Sequence, residues 1–164
     1  MSEYLWIQDD AGLYHIEQPI SARHVLALAS HILEESAKRG ESIENPSDSA
    51  NLFKTKIGLA ENEQFAAAWL DNKHRLIRFE VLSTGTIDHA VVYPREVVKR
   101  GLELNAGAVI FGHNHPSGVT NPSKADIDLT KRLKEALGLF DIRLLDHLVV
   151  AGDDHVSLSE RGEI

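Results

Sequence analysis

His113 and His115 stand two positions apart, and a carboxylate, Asp126, follows with ten residues between it and His115. In an extended chain successive side chains alternate faces, so two histidines at that spacing can point the same way. Zinc takes His nitrogens at about 2.0–2.1 Å and needs at least one more protein ligand beyond such a pair. Asp126 is the candidate. Three protein ligands leave one position for water, and bound zinc brings the pKa of that water to about 7, so hydroxide becomes available at neutral pH. A hydrolase also needs a group to take and return the proton. Glu61 and Glu63 are the candidates, and spacing alone does not choose between them.

Each feature also has a plainer reading. Ser123, three residues before Asp126, fits a capping box at a helix start, and an acid there suits the helix dipole. A His-x-His pair by itself is a weak metal signal, and either glutamate reads as a solvated acid before a strand. The combination is far more specific. Two histidines lie at the end of an apolar run, Pro116, Gly118 and Pro122 turn the chain, and Asp126 opens the stripe Asp126, Leu129, Leu133, Leu137 and Phe140, with Ala136 beside it. A stripe of that kind faces a core, and a carboxylate on it needs a cation or several hydrogen bonds.

The elements that must position these groups can be read along the chain. Tyr4–Ile7 and Leu13–Ile16, separated by Asp9-Asp10-Ala11-Gly12, predict a small hairpin. Ser21 can cap a helix running to about Arg39, with Gly40 ending it. The polar stretch 40–50, with Asn45-Pro46 as a breaker, is the best boundary, and a short helix is expected from about Ser49 to Ile57. From Phe65 onward FAAAWLD and RLIRFEVL predict consecutive strands, and IDHAVVY a third. Pro94 fits the first turn of a helix reaching about Leu104, closed by Asn105. AGAVIFG is nearly all apolar, as in a strand covered on both faces. A helix over Ser123–Leu137, a strand in IRLLDHLVVAG and a short strand at Val156–Leu158 complete the pattern. Interleaved strands and helices give the α/β class, a mixed central β-sheet with flanking helices. Two units are expected: an N-terminal extension over 1–45, hairpin plus helix, and a domain over 46–164.

The chain has 164 residues, no cysteine, nine histidines and a formal net charge of −8. Disulfides, thiol nucleophiles and Cys-based zinc sites are excluded, so a held transition metal must rest on His, Asp and Glu. The acidic balance argues against a broad phosphate-binding surface. The N-terminus has no basic start followed by an apolar stretch, and no apolar run approaches the roughly 20 residues of a membrane span. A soluble, cytoplasmic protein without a membrane partner is expected.

These residues closely resemble the RadC family, within the wider JAB/MPN group of JAMM metalloproteases. The resemblance rests on LD at 70–71, GTID at 85–88, PRE at 94–96, HNHPSG at 113–118, PS at 122–123 with Asp126, and LDH at 145–147, and covers about residues 46 to 164. It implies a JAB/MPN fold of cytidine-deaminase-like arrangement, Zn2+ held by His113, His115 and Asp126, water activated by Glu63 rather than Glu61, and a tetrahedral intermediate held by Ser123. Two departures stand out. Asn114 lies between the histidines where many deubiquitinating JAMM enzymes carry Ser or Thr, as is usual in RadC-like proteins, which leaves a ubiquitin-like substrate open to question. The first 45 residues do not resemble the helix-hairpin-helix region of full-length RadC proteins, so the chain looks like the short type often associated with mobile elements.

The leading expectation is therefore a zinc metalloprotease or isopeptidase acting on a peptide or protein. The alternative is a DNA-associated enzyme acting on DNA or a DNA-bound partner, for which Lys131, Arg132 and Lys134 offer a basic stretch, although the net charge favours reading them as a solvated helix face. A binding module is a third reading, opposed by the intact ligand set. A zinc deaminase would need a Cys pair alongside its His-x-Glu, and the chain has no cysteine. A non-haem iron site also uses two His and one carboxylate. Asp146-His147, inside an apolar strand, reads first as a buried hydrogen-bonded pair and second as support for a zinc ligand.

Overall fold

The computed structural model describes residues 6–8, 13–16, 19–38, 42–85 and 92–164. β1 (Ile7–Gln8) and β2 (Tyr14–His15) pair antiparallel as the expected hairpin, and α1 spans Ala22–Lys38. The turn at 9–12, Gly40, and most of the strand expected over 87–93 lie outside the described residues.

α2 (Pro46–Ile57) starts three residues earlier than its apolar pattern suggests. Asn45 is its N-cap, accepting from the Asp48 amide at 3.0 Å, and Pro46 occupies the first turn. The dipeptide expected to break the chain therefore begins a helix, because proline's missing N–H would have no helical partner there anyway. Ala50, Phe53 and Ile57 recur at helical spacing and are buried.

The main sheet has the order β4-β3-β5-β6-β7, formed by β3 (Gln64–Leu70), β4 (Leu76–Thr84), β5 (Ala108–Asn114), β6 (Arg143–Ala151) and β7 (Asp154–Ser157). Only β5 and β6 run parallel; the other neighbours are antiparallel. Both faces are covered, which is why β3 and β5 read as continuous apolar runs rather than alternating ones. On one face Ala66, Ala68, Leu70, Ile110, Leu148 and Val150 pack against Phe53 and Ile57 of α2. On the other, Phe65, Ala67, Trp69, Val109 and Phe111 meet Val97 of α3 (Pro94–Glu103) and Leu133 and Leu137 of α4 (Lys124–Gly138). Gly112 makes the first contact possible: a Cβ there would lie 2.3 Å from the Phe53 ring. Phe53 is fully buried, and truncating it to alanine should cost about 3–5 kcal/mol.

α3 ends as expected, with Asn105 in the left-handed region at φ 50°. It is tied to the sheet by Arg100, which donates to Glu80 of β4 at 2.7 and 2.9 Å, while the Trp69 indole donates to the same carboxylate at 2.9 Å. Phe140 departs from the stripe predicted for α4. It lies beyond the helix end and is 48% exposed, whereas Leu133 and Leu137 are buried.

The parallel β5–β6 pair needs a crossover, and α4 supplies it. A helix returning chain to the start of β6 must begin near the end of β5. The carboxyl end of β5 and the amino end of α4 therefore meet, at the kind of place where α/β sheets carry their sites.

Candidate metal centre

β5 runs two residues further than its apolar run, so His113 and Asn114 belong to the strand itself. His115 continues the line, its amide donating to the Val150 carbonyl of β6 at 2.9 Å. Strand alternation then puts His113 and His115 on one face, with ring centroids 4.7 Å apart. After His115 the chain turns through Gly118, whose φ of 82° suits a residue without Cβ. That turn carries the Val119 carbonyl back to His115 Nδ1 at 2.6 Å.

Asp126 reaches the same point from α4. Its Oδ1 lies 3.6 Å from His113 Nε2 and its Oδ2 4.0 Å from His115 Nε2, while the two Nε2 atoms are 3.0 Å apart. One potential ligand atom from each residue falls within 4.8 Å of the others. Atoms bound tetrahedrally at about 2.0–2.1 Å from one zinc ion would be about 3.3 Å apart. The donor set and its spacing fit such an ion.

The capping reading of Asp126 also holds. Ser123 is the N-cap of α4: its Oγ accepts from the Asp126 amide at 3.1 Å, and its amide donates to Asp126 Oδ2 at 2.7 Å. The carboxylate thus divides its work, one oxygen closing the capping box and the other turned towards His113. Burial would raise the pKa of this carboxyl. A protonated His113 ring beside it and the backbone and side chain of Ser123 outweigh that effect and hold it well below the ordinary carboxylate range. The Ser123 hydroxyl accepts in the cap and keeps its own hydrogen to donate.

Glu63 and Glu61 precede β3, Glu63 half-buried and Glu61 exposed. The β3–β5 register pairs Phe65 with His113. Glu63 lies just before β3, two residues from Phe65 and outside the paired residues. The backbone on either side is pinned: the Glu63 carbonyl accepts from Gly85 at 2.8 Å, and the Gln64 amide donates to Asn114 Oδ1 at 2.7 Å.

Asn114 is a residue that sequence reasoning noted without giving it a task. It is fully buried on the opposite face from the histidines, and its Nδ2 donates to the carbonyls of Ala60 and Asn62 at 3.1 Å each. It therefore ties the loop bearing both glutamates to the strand bearing both histidines. A buried amide inside an apolar strand was the signal, since such a group must find partners.

Asp146 and His147 are not a side-chain pair. They sit beside Ile110 and Phe111 on opposite faces of the sheet, and their only bond runs from the His147 amide to Asp146 Oδ1. Asp146 faces away from the centre. His147 is fully buried and puts its Nε2 2.8 Å from His113 Nδ1. Its other nitrogen meets the hydroxyl of Thr130, a residue passed over in the sequence although it lies one helical turn after Asp126 on the inward side. Lys131, Arg132 and Lys134 are exposed on α4 together with Asp128 and Glu135, so that helix presents both charges rather than a basic patch. No helix among the described residues is long and apolar enough to cross a membrane.

The model of the RadC-like JAB domain matches residues 43–163. A UPF0758 protein of Vibrio cholerae is 50% identical over 149 residues, covering 91% of this chain and 94% of that protein. UPF0758 proteins of Marinobacter nauticus and Alcanivorax borkumensis are each 51% identical, over 84% and 85% of this chain. The chain spans only 61% and 62% of the length of those two. On this match and these identities, the chain belongs to the RadC-like JAB domain family.

Proposed function

We propose that this chain is a zinc-dependent hydrolase of amide bonds in a peptide or protein, a metallopeptidase or isopeptidase. The observation that carries the reading is the convergence of His113, His115 and Asp126 at the end of β5; Glu63 stands two residues before Phe65, the strand partner of His113. His113, His115 and Asp126 would hold the ion. When bound, zinc supplies a fixed positive charge that acidifies water and polarises a carbonyl.

The chain's own residues do the rest. Glu63 takes a proton from the attacking water and returns it to the departing amine, one carboxylate serving as base and then acid. The Ser123 hydroxyl donates to the substrate carbonyl oxygen as negative charge develops there. Asn114 and the Gly85 amide hold the backbone around Glu63, which limits the reach of its side chain.

Glu63→Gln separates binding from chemistry, because the amide keeps the size of the side chain and cannot take the proton. The variant should bind zinc one to one and lose at least about a hundredfold in cleavage of a peptide or isopeptide library, the usual size of a general acid–base contribution. Equal cleavage by the variant and the zinc-loaded wild type would overturn the assignment of Glu63.

A further inference from the structure

The hydrogen bonds behind His113 have a direction, and it can be followed from one end. The Asp126 carbonyl can only accept, so the Thr130 hydroxyl, 2.6 Å away, gives it its single hydrogen. Towards His147 Nδ1 that hydroxyl is then an acceptor, so Nδ1 carries the ring hydrogen. His147 is wholly enclosed, with the Phe65 and Phe111 rings beside it at centroid distances of 5.4 and 6.4 Å. An unpaired cation there would be very costly, so the ring is neutral and its Nε2 is bare. Nε2 therefore accepts from His113 Nδ1–H, which in the neutral His113 ring leaves Nε2 bare in turn. On the other side the Val119 carbonyl demands a hydrogen on His115 Nδ1, so in the neutral ring His115 Nε2 is bare as well.

We infer that Thr130 and His147 are positioning residues which select the His113 tautomer able to bind a metal, through the chain Asp126 C=O, Thr130 Oγ1, His147, His113. Two unprotonated nitrogens then face each other at 3.0 Å beside a carboxylate, an arrangement that a shared cation relieves. The chain also joins the ligand on β5 to the ligand on α4 by way of β6. It rests on the metal reading proposed above but involves neither Glu63 nor turnover, so it can fail separately.

The test has two arms. In metal-free protein at about pH 8, long-range proton–nitrogen correlation spectra should place the ring hydrogen of His113, His115 and His147 on Nδ1 in all three. A hydrogen on Nε2 of His113 or His147 overturns the proposal whether or not zinc binds. In the second arm zinc itself is the probe, titrated against a chromophoric chelator. Thr130→Val keeps the shape and removes the hydroxyl; it should weaken zinc binding by about 10- to 100-fold, as loss of a partner behind a ligand usually does. Thr130→Ser restores the hydroxyl and should restore the affinity. Unchanged affinity and unchanged tautomers in Thr130→Val would overturn the relay, whereas a purely structural role for Thr130 would lower the melting temperature without moving either readout.

Discussion

Asp126 and Asp146 are the same residue type placed on opposite sides of one sheet, and they are used differently. Asp146 is 8% exposed, and the fold consumes its carboxylate: Oδ1 accepts from the His147 and Ser159 amides at 2.7 and 3.1 Å, and Oδ2 from the Ser157 hydroxyl at 2.7 Å. It fastens β6 to β7 and to the turn beyond. Asp126 gives one oxygen to the capping box and turns the other to His113. The contrast teaches how to tell a structural carboxylate from a functional one. A structural carboxylate meets N–H and O–H groups of its own fold at every lone pair it can, while Asp126 faces groups that are themselves electron-pair donors.

Substitutions can break that comparison. The largest effect is expected for Asp146→Ala, which strands two buried donors, the His147 amide and the Ser157 hydroxyl, and frees the Ser159 amide; it should cost about 3–5 kcal/mol in urea unfolding, while the folded protein still binds zinc. Asp126→Asn should do the reverse. Stability changes by about 1 kcal/mol or less, since asparagine also serves near a helix start, and zinc affinity falls at least about a hundredfold, or about 2.7 kcal/mol. If both variants lost stability alike and zinc binding alike, the distinction would be gone.

Asn114→Ala comes next. It removes the tie between β5 and the loop at 60–64, and should cost about 2 kcal/mol with zinc affinity nearly kept. Amide exchange at Gln64 checks it directly, because that N–H loses its acceptor.

The smallest effect is a pH slope. Burial, then the neighbouring His113, hold the His147 pKa well below its ordinary value. The unfolded chain accepts a proton that the fold refuses, so the His147 contribution is whole above about pH 6.5 and declines below it, by about 1.4 kcal/mol per pH unit. Urea unfolding of metal-free protein at pH 7 and 5.5 should show that slope, and His147→Gln should flatten it.

Much of this was legible beforehand where one physical rule acted alone. Apolar runs marked β3 and β5 because both faces are covered, and the spacing of His113, His115 and Asp126 anticipated their convergence. Less was legible where a residue obeys two rules. Asn45-Pro46 carries turn chemistry and helix-start chemistry in the same two letters, and the start prevailed because Asn45 found the Asp48 amide. Asp126 satisfied capping and convergence together, so weighing one against the other posed a choice the molecule does not make. Strand order was not legible, and with it went the roles of Asn114 and Thr130 and any way to choose between the two readings of His147. Their partners lie on other strands and helices, and only the register reveals that His147 backs His113 while Asp146 faces away.

The central claim is that His113, His115 and Asp126 share one ion and leave a position open. X-ray absorption at the zinc edge, on protein loaded with one equivalent, tests it most directly. The account predicts two imidazoles, a carboxylate and one solvent oxygen around a single zinc, with the imidazole signal halved in His115→Ala. A spectrum lacking imidazole, or one identical in His115→Ala and Asp126→Asn, would contradict it.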